Sequence, residues 1–384
     1  MRLSQVVISG DNNSDGLGVG ATKLFRIPVE NNTLTGKTSQ ETKQYMGTRK
    51  GQPPTDGTRS VEGSLEVPIS ADNAPFFMYH VLGKLVSKAA ASTNTWTAAT
   101  AVVAGEIVNH SNTLHSLYCR TGGTTGGTEP DLSAYTTAQM GRDLTIVDNG
   151  VVWVIYPKLW KYVFTEGECL PPFLVENKIA DACSGAPAIY ERFGGLRPQS
   201  IPIGFTGDDI TVLNASIPVM GADYASSDEV GFQDIATIKT LTPIDLVAEN
   251  FSKQDLTITF NGATTTSIEA IDLSMTVDNG VTKTNTLGTN TARVSTGALQ
   301  VTGTSNIYVT PSLFAEMRQK TIQNVVAEMK IKGKPFELKI EFPKVTPIID
   351  SLVHSITEDT KMMLNLTAHG DITVRATVIS STDL

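Results

Sequence analysis

Residues able to do chemistry are present, but their spacing assembles no site. Thr35-Gly36-Lys37-Thr38-Ser39 holds the Gly-Lys-Thr triplet of a phosphate-cradling loop. That loop needs a glycine five positions before Gly36, and Asn31 stands there. The glycine-rich run from Gly16 to Lys23 precedes a strand-like segment instead of following one, so no helix N-terminus is placed to receive a pyrophosphate. His80, His110, His115, His354 and His369 show no metal-ligand spacing. Cys119, Cys169 and Cys183 form neither a C-x-x-C pair nor an even set, and read as free thiols. With no nucleophile elbow and no defined carboxylate pair, the expectation is no catalytic residue, no metal, no cofactor and no enzyme. Four aromatic residues, Trp96, Tyr118, Tyr135 and Trp153, gather in one segment. Two readings stand for them: exposed faces that stack on sugar rings, or the core of a small module.

The elements that must position these residues follow from composition and pattern. At 384 residues the chain suggests two or three domains. Its 39 acidic against 30 basic residues, net −9, disfavour a basic footprint that would hold nucleic acid. Charge at 18% leaves much of the surface to Thr, Ser, Asn and Gly, which favours β structure with many turns. The longest apolar run, Val151 to Tyr156, is strand length, and Met1 to Gln5 lacks an apolar leader segment. No membrane span and synthesis in a cytoplasm are therefore expected. Val325, Ala327, Met329 and Ile331 alternate with polar residues, as do Phe336, Leu338, Ile340 and Phe342. A two-residue turn at Gly333-Lys334 would set Lys330 opposite Glu337 and Glu328 opposite Lys339. Thr310 before Pro311 predicts a capped helix with Leu313, Phe314 and Met317 on one face.

The chain also repeats itself. Thr58 to Val67 resembles Thr291 to Val301, with Gly63 matching Gly297 and Leu65 matching Leu299. Upstream, Ile27 to Asn32 parallels Met275 to Gly280. Downstream, a predicted helix over Asp72 to Leu85, carrying Phe77, Val81, Leu82 and Leu85, parallels Pro311 to Lys320. The runs from Asp208 and from Glu358 share a tail of alternating residues. The first copy interposes a turn-rich segment whose Asp148-Asn149-Gly150 precedes a strand. The expected domains are 1–88 with 159–230, an inserted small β module at 89–158, and 231–384.

On these residues the chain resembles the tail tube (major tail) proteins of long-tailed, non-contractile bacteriophages of siphophage type. The resemblance is carried by Gln44 to Gly83, Tyr162 to Phe173, Ile271 to Gly280, Leu287 to Thr310 and Phe336 to Pro343. The insertion is similar to small carbohydrate-binding-type modules, through Trp96, Ala104 to Val108, Tyr118-Cys119, Gly126 to Pro130 and Asp148 to Trp153. Leu132 stands where such modules commonly carry Trp after the Glu-Pro turn. The resemblance implies a mainly β chain: two tandem β-sandwich or barrel domains, each with a short helix, plus the inserted module as an outer decoration whose deletion spares tube formation. It implies a virion-tail protein that stacks as rings, trimeric and pseudo-sixfold if the fold is duplicated, hexameric if not. Implied partners are a tape measure protein, tail terminator and tip proteins, and double-stranded DNA passing through the lumen. Alternation in the two strands makes Glu62, Ser64, Glu66, Glu337, Lys339 and Glu341 candidates for the lumen lining; a solvated outer sheet face is the other reading. The alternative function is a virion surface adhesin that binds a host surface glycan through the insertion.

Overall fold

In the computed structural model the described residues are 5–10, 25–41, 55–133, 135, 144–179, 189–206, 214–226, 244–245, 250–251, 256–261, 271–285, 291–320, 322–353 and 360–384. The run Gly16 to Lys23, Cys183, His354 and the heads of the two alternating tails, 208–213 and 358–359, lie outside them. The described chain is mainly β with two short helices.

The first half begins with β1 (Gln5–Gly10), β2 (Phe25–Ile27), β3 (Asn31–Asn32), β4 (Thr35–Glu41) and β5 (Thr55–Pro68). Helix α1 (Ala74–Leu82) follows, then β6 (Gly83–Ala90). The inserted segment supplies β7 (Ala101–Val102), β8 (Ile107–Asn109), β9 (His115–Thr121), β10 (Gly123–Thr124), β11 (Thr145–Asp148) and β12 (Val151–Pro157). The body resumes with β13 (Trp160–Glu166), β14 (Phe173–Ile179), β15 (Ile189–Pro198), β16 (Ser200–Thr206), β17 (Asn214–Gly221) and β18 (Asp223–Ser226). After β19 (Ile244–Asp245) and β20 (Leu256–Asn261) come β21 (Asp272–Asp278), β22 (Thr282–Asn285), β23 (Ala292–Ser295) and β24 (Gln300–Tyr308). Helix α2 (Pro311–Arg318), β25 (Gln323–Lys330), β26 (Glu337–Val353), β27 (Lys361–Ala368) and β28 (Arg375–Ser380) complete the chain.

Two large sheets form the body. One runs β19-β2-β1-β14-β15-β17-β5-β3, with β4 also on β5 and β18 on β15. The other runs β16-β21-β24-β27-β26-β28-β13-β6, with β20 and β25 branching from β26. The second sheet therefore takes β6, β13 and β16 from the expected first domain, 1–88 with 159–230, and its remaining strands from beyond residue 231. Alternation tells which face of a strand is buried but not which strand lies beside it. One buried apolar cluster runs between the sheets, and Phe76 joins Phe25, Phe77 and Phe173 there at centroid distances of 5.5–5.9 Å.

Local chemistry explains the helices. Asn73 accepts a hydrogen bond from the Ser70 N–H on its side chain (2.9 Å), and its amide donates to the Pro68 carbonyl (2.8 Å), which fixes the entry to α1. The helix is buried on nearly every side, as its apolar composition requires. It stops at Gly83, whose φ of +90° and N–H bond to the Tyr79 carbonyl form a left-handed cap. Leu85 consequently lies on β6, 37% exposed, and not on the helix face where the sequence had placed it. Thr310 caps α2 as expected, its hydroxyl accepting from the Leu313 N–H at 3.3 Å.

The β25–β26 register is the one the charges predict, Lys330 opposite Glu337 and Glu328 opposite Lys339. The connection is longer than two residues: the strands part at Lys330 and resume at Glu337. The Ile331 carbonyl accepts the Lys334 N–H, with Gly333 at φ +74°. In the insertion, Asn149 (φ +48°) and Gly150 (φ +93°) make the tight β11–β12 hairpin that the Asn-Gly pair signals.

Candidate lumen-lining faces and the docked module

Glu62, Ser64 and Glu66 stand on the outward side of β5, because Val61, Leu65 and Val67 occupy its core side. Three rungs cross this face. Asn31, Glu66 and Ser216 are register partners. Ser64 faces Pro218, and its hydroxyl meets that of Thr33 at 3.0 Å. Glu62 lies between Thr35 and Met220. Glu62 is not a free surface anion: Lys283 on β22 and Lys37 on β4 both bind its carboxylate. Those two hydrogen bonds, from Lys283 first and then Lys37, hold its pKa down to about 2.

Glu337, Lys339 and Glu341 point outward from β26, with Leu338, Ile340 and Phe342 in the core. Their neighbours are charged. Lys339 pairs with Glu341 at 2.6 Å, and Lys330 lies 3.7 Å from Glu337. Across β28, Glu341 is the register partner of Arg375, and Ile379 stands between Glu337 and Lys161 of β13. The two candidate triplets are thus brought together neither in one sheet nor on equivalent strands.

β5 and β24 occupy similar places in the chain. Each precedes a helix, and each pairs along its length with the strand of the alternating tail, β17 for β5 and β27 for β24. On β24, Ser274–Thr304–Asn365 is one cross-strand rung and Thr276–Thr302–Thr367 is the next. The glycines match as well: a Cβ on Gly63 would sit 2.6 Å from the Thr33 carbonyl oxygen, and one on Gly297 2.6 Å from that of Gly280. Residues 296–299, which include Gly297, separate β23 from β24 where β5 is continuous. Thr302 and Thr304 were absent from the sequence reading. Aligning the two glycine pairs, Gly63 with Gly297 and Gly221 with Gly370, would have pointed to their strand.

The insertion has two packed sides. Leu117, Cys119, Val151, Trp153 and Ile155 fill its own core, with Trp96 and Tyr135 half-buried against it. Tyr118, Val154 and Tyr156 instead join the core of the body, and Tyr156 meets Phe336 edge-on at 5.4 Å. The Asp148 carboxylate, buried, organises one end: it accepts from the Trp96 indole (3.0 Å), the Trp153 indole (3.4 Å) and the Gly126 N–H (2.7 Å). Sequence reasoning missed Asp148 as a hub because its Asn-Gly neighbours explain it as a turn residue. His110 and His115 are taken up by local bonds, to the Pro130 carbonyl and the Asn112 amide. Among the described residues no group of three His, Cys, Asp or Glu is placed to hold a metal.

A family model described as phage tail tube protein matches residues 16–368. The chain belongs to the phage tail tube family. No curated protein matches it. As a tail tube protein it is a structural component of the virion tail and not an enzyme. Among the described residues of this tail tube protein no helix is long and apolar enough to cross a membrane.

Proposed function

We propose that this chain polymerises as stacked rings into the tail tube and that the tube conducts DNA into the host cell. The observation that carries the reading is the recurring order in which β5 and β24 each precede a helix and pair with a later alternating strand, in a chain of a tube family. Two such units per chain mean that three chains complete a pseudo-sixfold ring; a single unit per chain would have required six. Closing a ring and stacking it also buries sheet edges that would otherwise template uncontrolled pairing. A tape measure protein occupies such a lumen during assembly, and terminator and tip proteins close its ends. The inserted module, docked on one side of the body, decorates the outer wall. A net charge of −9 suits a passage that must release what it conveys. Negative-stain microscopy of the purified protein is expected to show hollow rings and tubes; a persistent monomer at high concentration would overturn the proposal.

A further inference from the structure

The outward side of the second sheet divides into two chemically different halves. Around the first part of β26 it is zwitterionic, with Lys161, Lys339 and Arg375 among the carboxylates of Glu328, Glu337 and Glu341. Where β24 and β27 lie, two central rungs carry no charged side chain. Ser274, Thr304 and Asn365 are register partners across three strands, and so are Thr276, Thr302 and Thr367 in the adjacent rung. All six are exposed or half-exposed. Gly204 and Pro202 of β16 extend the two rungs on one side, and Ile348 and Thr346 of β26 extend them on the other. The charges that border them are carboxylates: Asp350 of β26 accepts from the Asn365 amide at 3.2 Å, and Asp272 and Asp278 flank the rungs along β21. The nearest lysines are marginal: Lys344 lies one rung beyond and Lys361 two.

We propose that this hydroxyl and amide face, with its first-copy counterpart on β5, is the wall that meets the conveyed duplex, and that the zwitterionic half faces away from it. The proposal rests on the tube reading above and specifies its inner surface. A cation on such a rung would recur in every ring, and each copy would add a phosphate contact to be broken at every step of DNA movement. Hydroxyl and amide groups exchange water for phosphate oxygen with little net free energy, so they can touch a moving backbone without retaining it. The first-copy face follows the same rule: Ser64, Ser216 and Asn31 are uncharged, Glu66 is anionic, and the two lysines near it are engaged by Glu62. A β-sheet lining places these groups at regular spacings of roughly 4.8 Å between strands, which gives a smooth, repeating surface.

The test compares Thr302→Lys with Thr377→Lys, the latter on β28 amid the zwitterionic half, in assembled particles triggered to release DNA. Thr302→Lys should slow release about tenfold or more at about 50 mM salt and recover at about 500 mM, whereas Thr377→Lys should match the unsubstituted particle. Equal rates for both variants, or slowing by Thr377→Lys alone, would overturn the assignment. If Thr302→Lys does not assemble, electron cryomicroscopy of unsubstituted tubes decides the same point, because β24 and β27 must face the axis; β13 and β28 facing it would refute the proposal. Failure of the unsubstituted protein to form tubes at all would instead refute the tube reading on which the assignment depends.

Discussion

His80 sits inside α1 with its Nδ1 2.9 Å from the Pro171 carbonyl and its ring between Phe76 and Phe173, at 4.3 and 5.2 Å. Burial pulls its pKa from 6.5 down to about 4, opposed by the bond to Pro171. The neutral ring is therefore the native form, and the unfolded chain binds a proton that the folded chain refuses between pH 6.5 and 4. Stability should fall by about 2 kcal/mol on going from pH 7 to pH 5, read as a lower urea midpoint, and His80→Phe should remove that part of the fall. An unchanged pH profile in His80→Phe would show that the ring is not the sensor. Glu62 has the opposite range. Its carboxyl is depressed to about 2, so its stabilising pairs are intact above pH 4.5 and are lost as pH falls from there toward 2. Being a third exposed, it contributes under about 1 kcal/mol, and Glu62→Gln should lower the thermal midpoint slightly at pH 7 and not at all near pH 2. The position and side of Glu62 were legible in the alternation of its strand. Its two lysine partners were not, because Lys283 lies 221 residues away and nothing local announces it.

Between elements, the two matching glycines give a sharp comparison. Gly63, at φ +149°, and Gly297 each press against backbone, so Gly63→Ala and Gly297→Ala should each cost about 2 kcal/mol or more. Gly333, also at positive φ but facing open space, should cost only about 1 kcal/mol as alanine. Chemical denaturation of the three variants checks the order; glycines at 63 and 297 no costlier than Gly333 would weaken the equivalence of the two copies. The insertion is bound to the body through Tyr156 and Phe336, so it is not a loose decoration. Ala91 and Leu159 are already bridged, N–H to carbonyl at 2.9 Å, so residues 92–157 can be replaced by an Asn-Gly turn. That deletion should lower stability by about 3 kcal/mol, with Phe336→Ser in the deleted protein restoring solubility. The β25–β26 pairing was readable because alternation and complementary charges agree on a single register. The end of α1 was misjudged because Leu85 continues the apolar spacing, while the left-handed Gly83 outweighs it.

At the scale of the whole molecule, the sequence showed the β class and the repeated order of elements, but not that β6, β13 and β16 cross into the sheet of the second half. Such pairings are set by packing across long sequence separations and leave no local trace. Their consequence is that strands of both proposed copies share one sheet and one core. The central claim is that each chain supplies two tube units. Electron cryomicroscopy of assembled tubes tests it most directly: three chains per ring, with threefold symmetry and pseudo-sixfold density, is the expected result. Six chains per ring, each contributing one inward-facing unit, would contradict it.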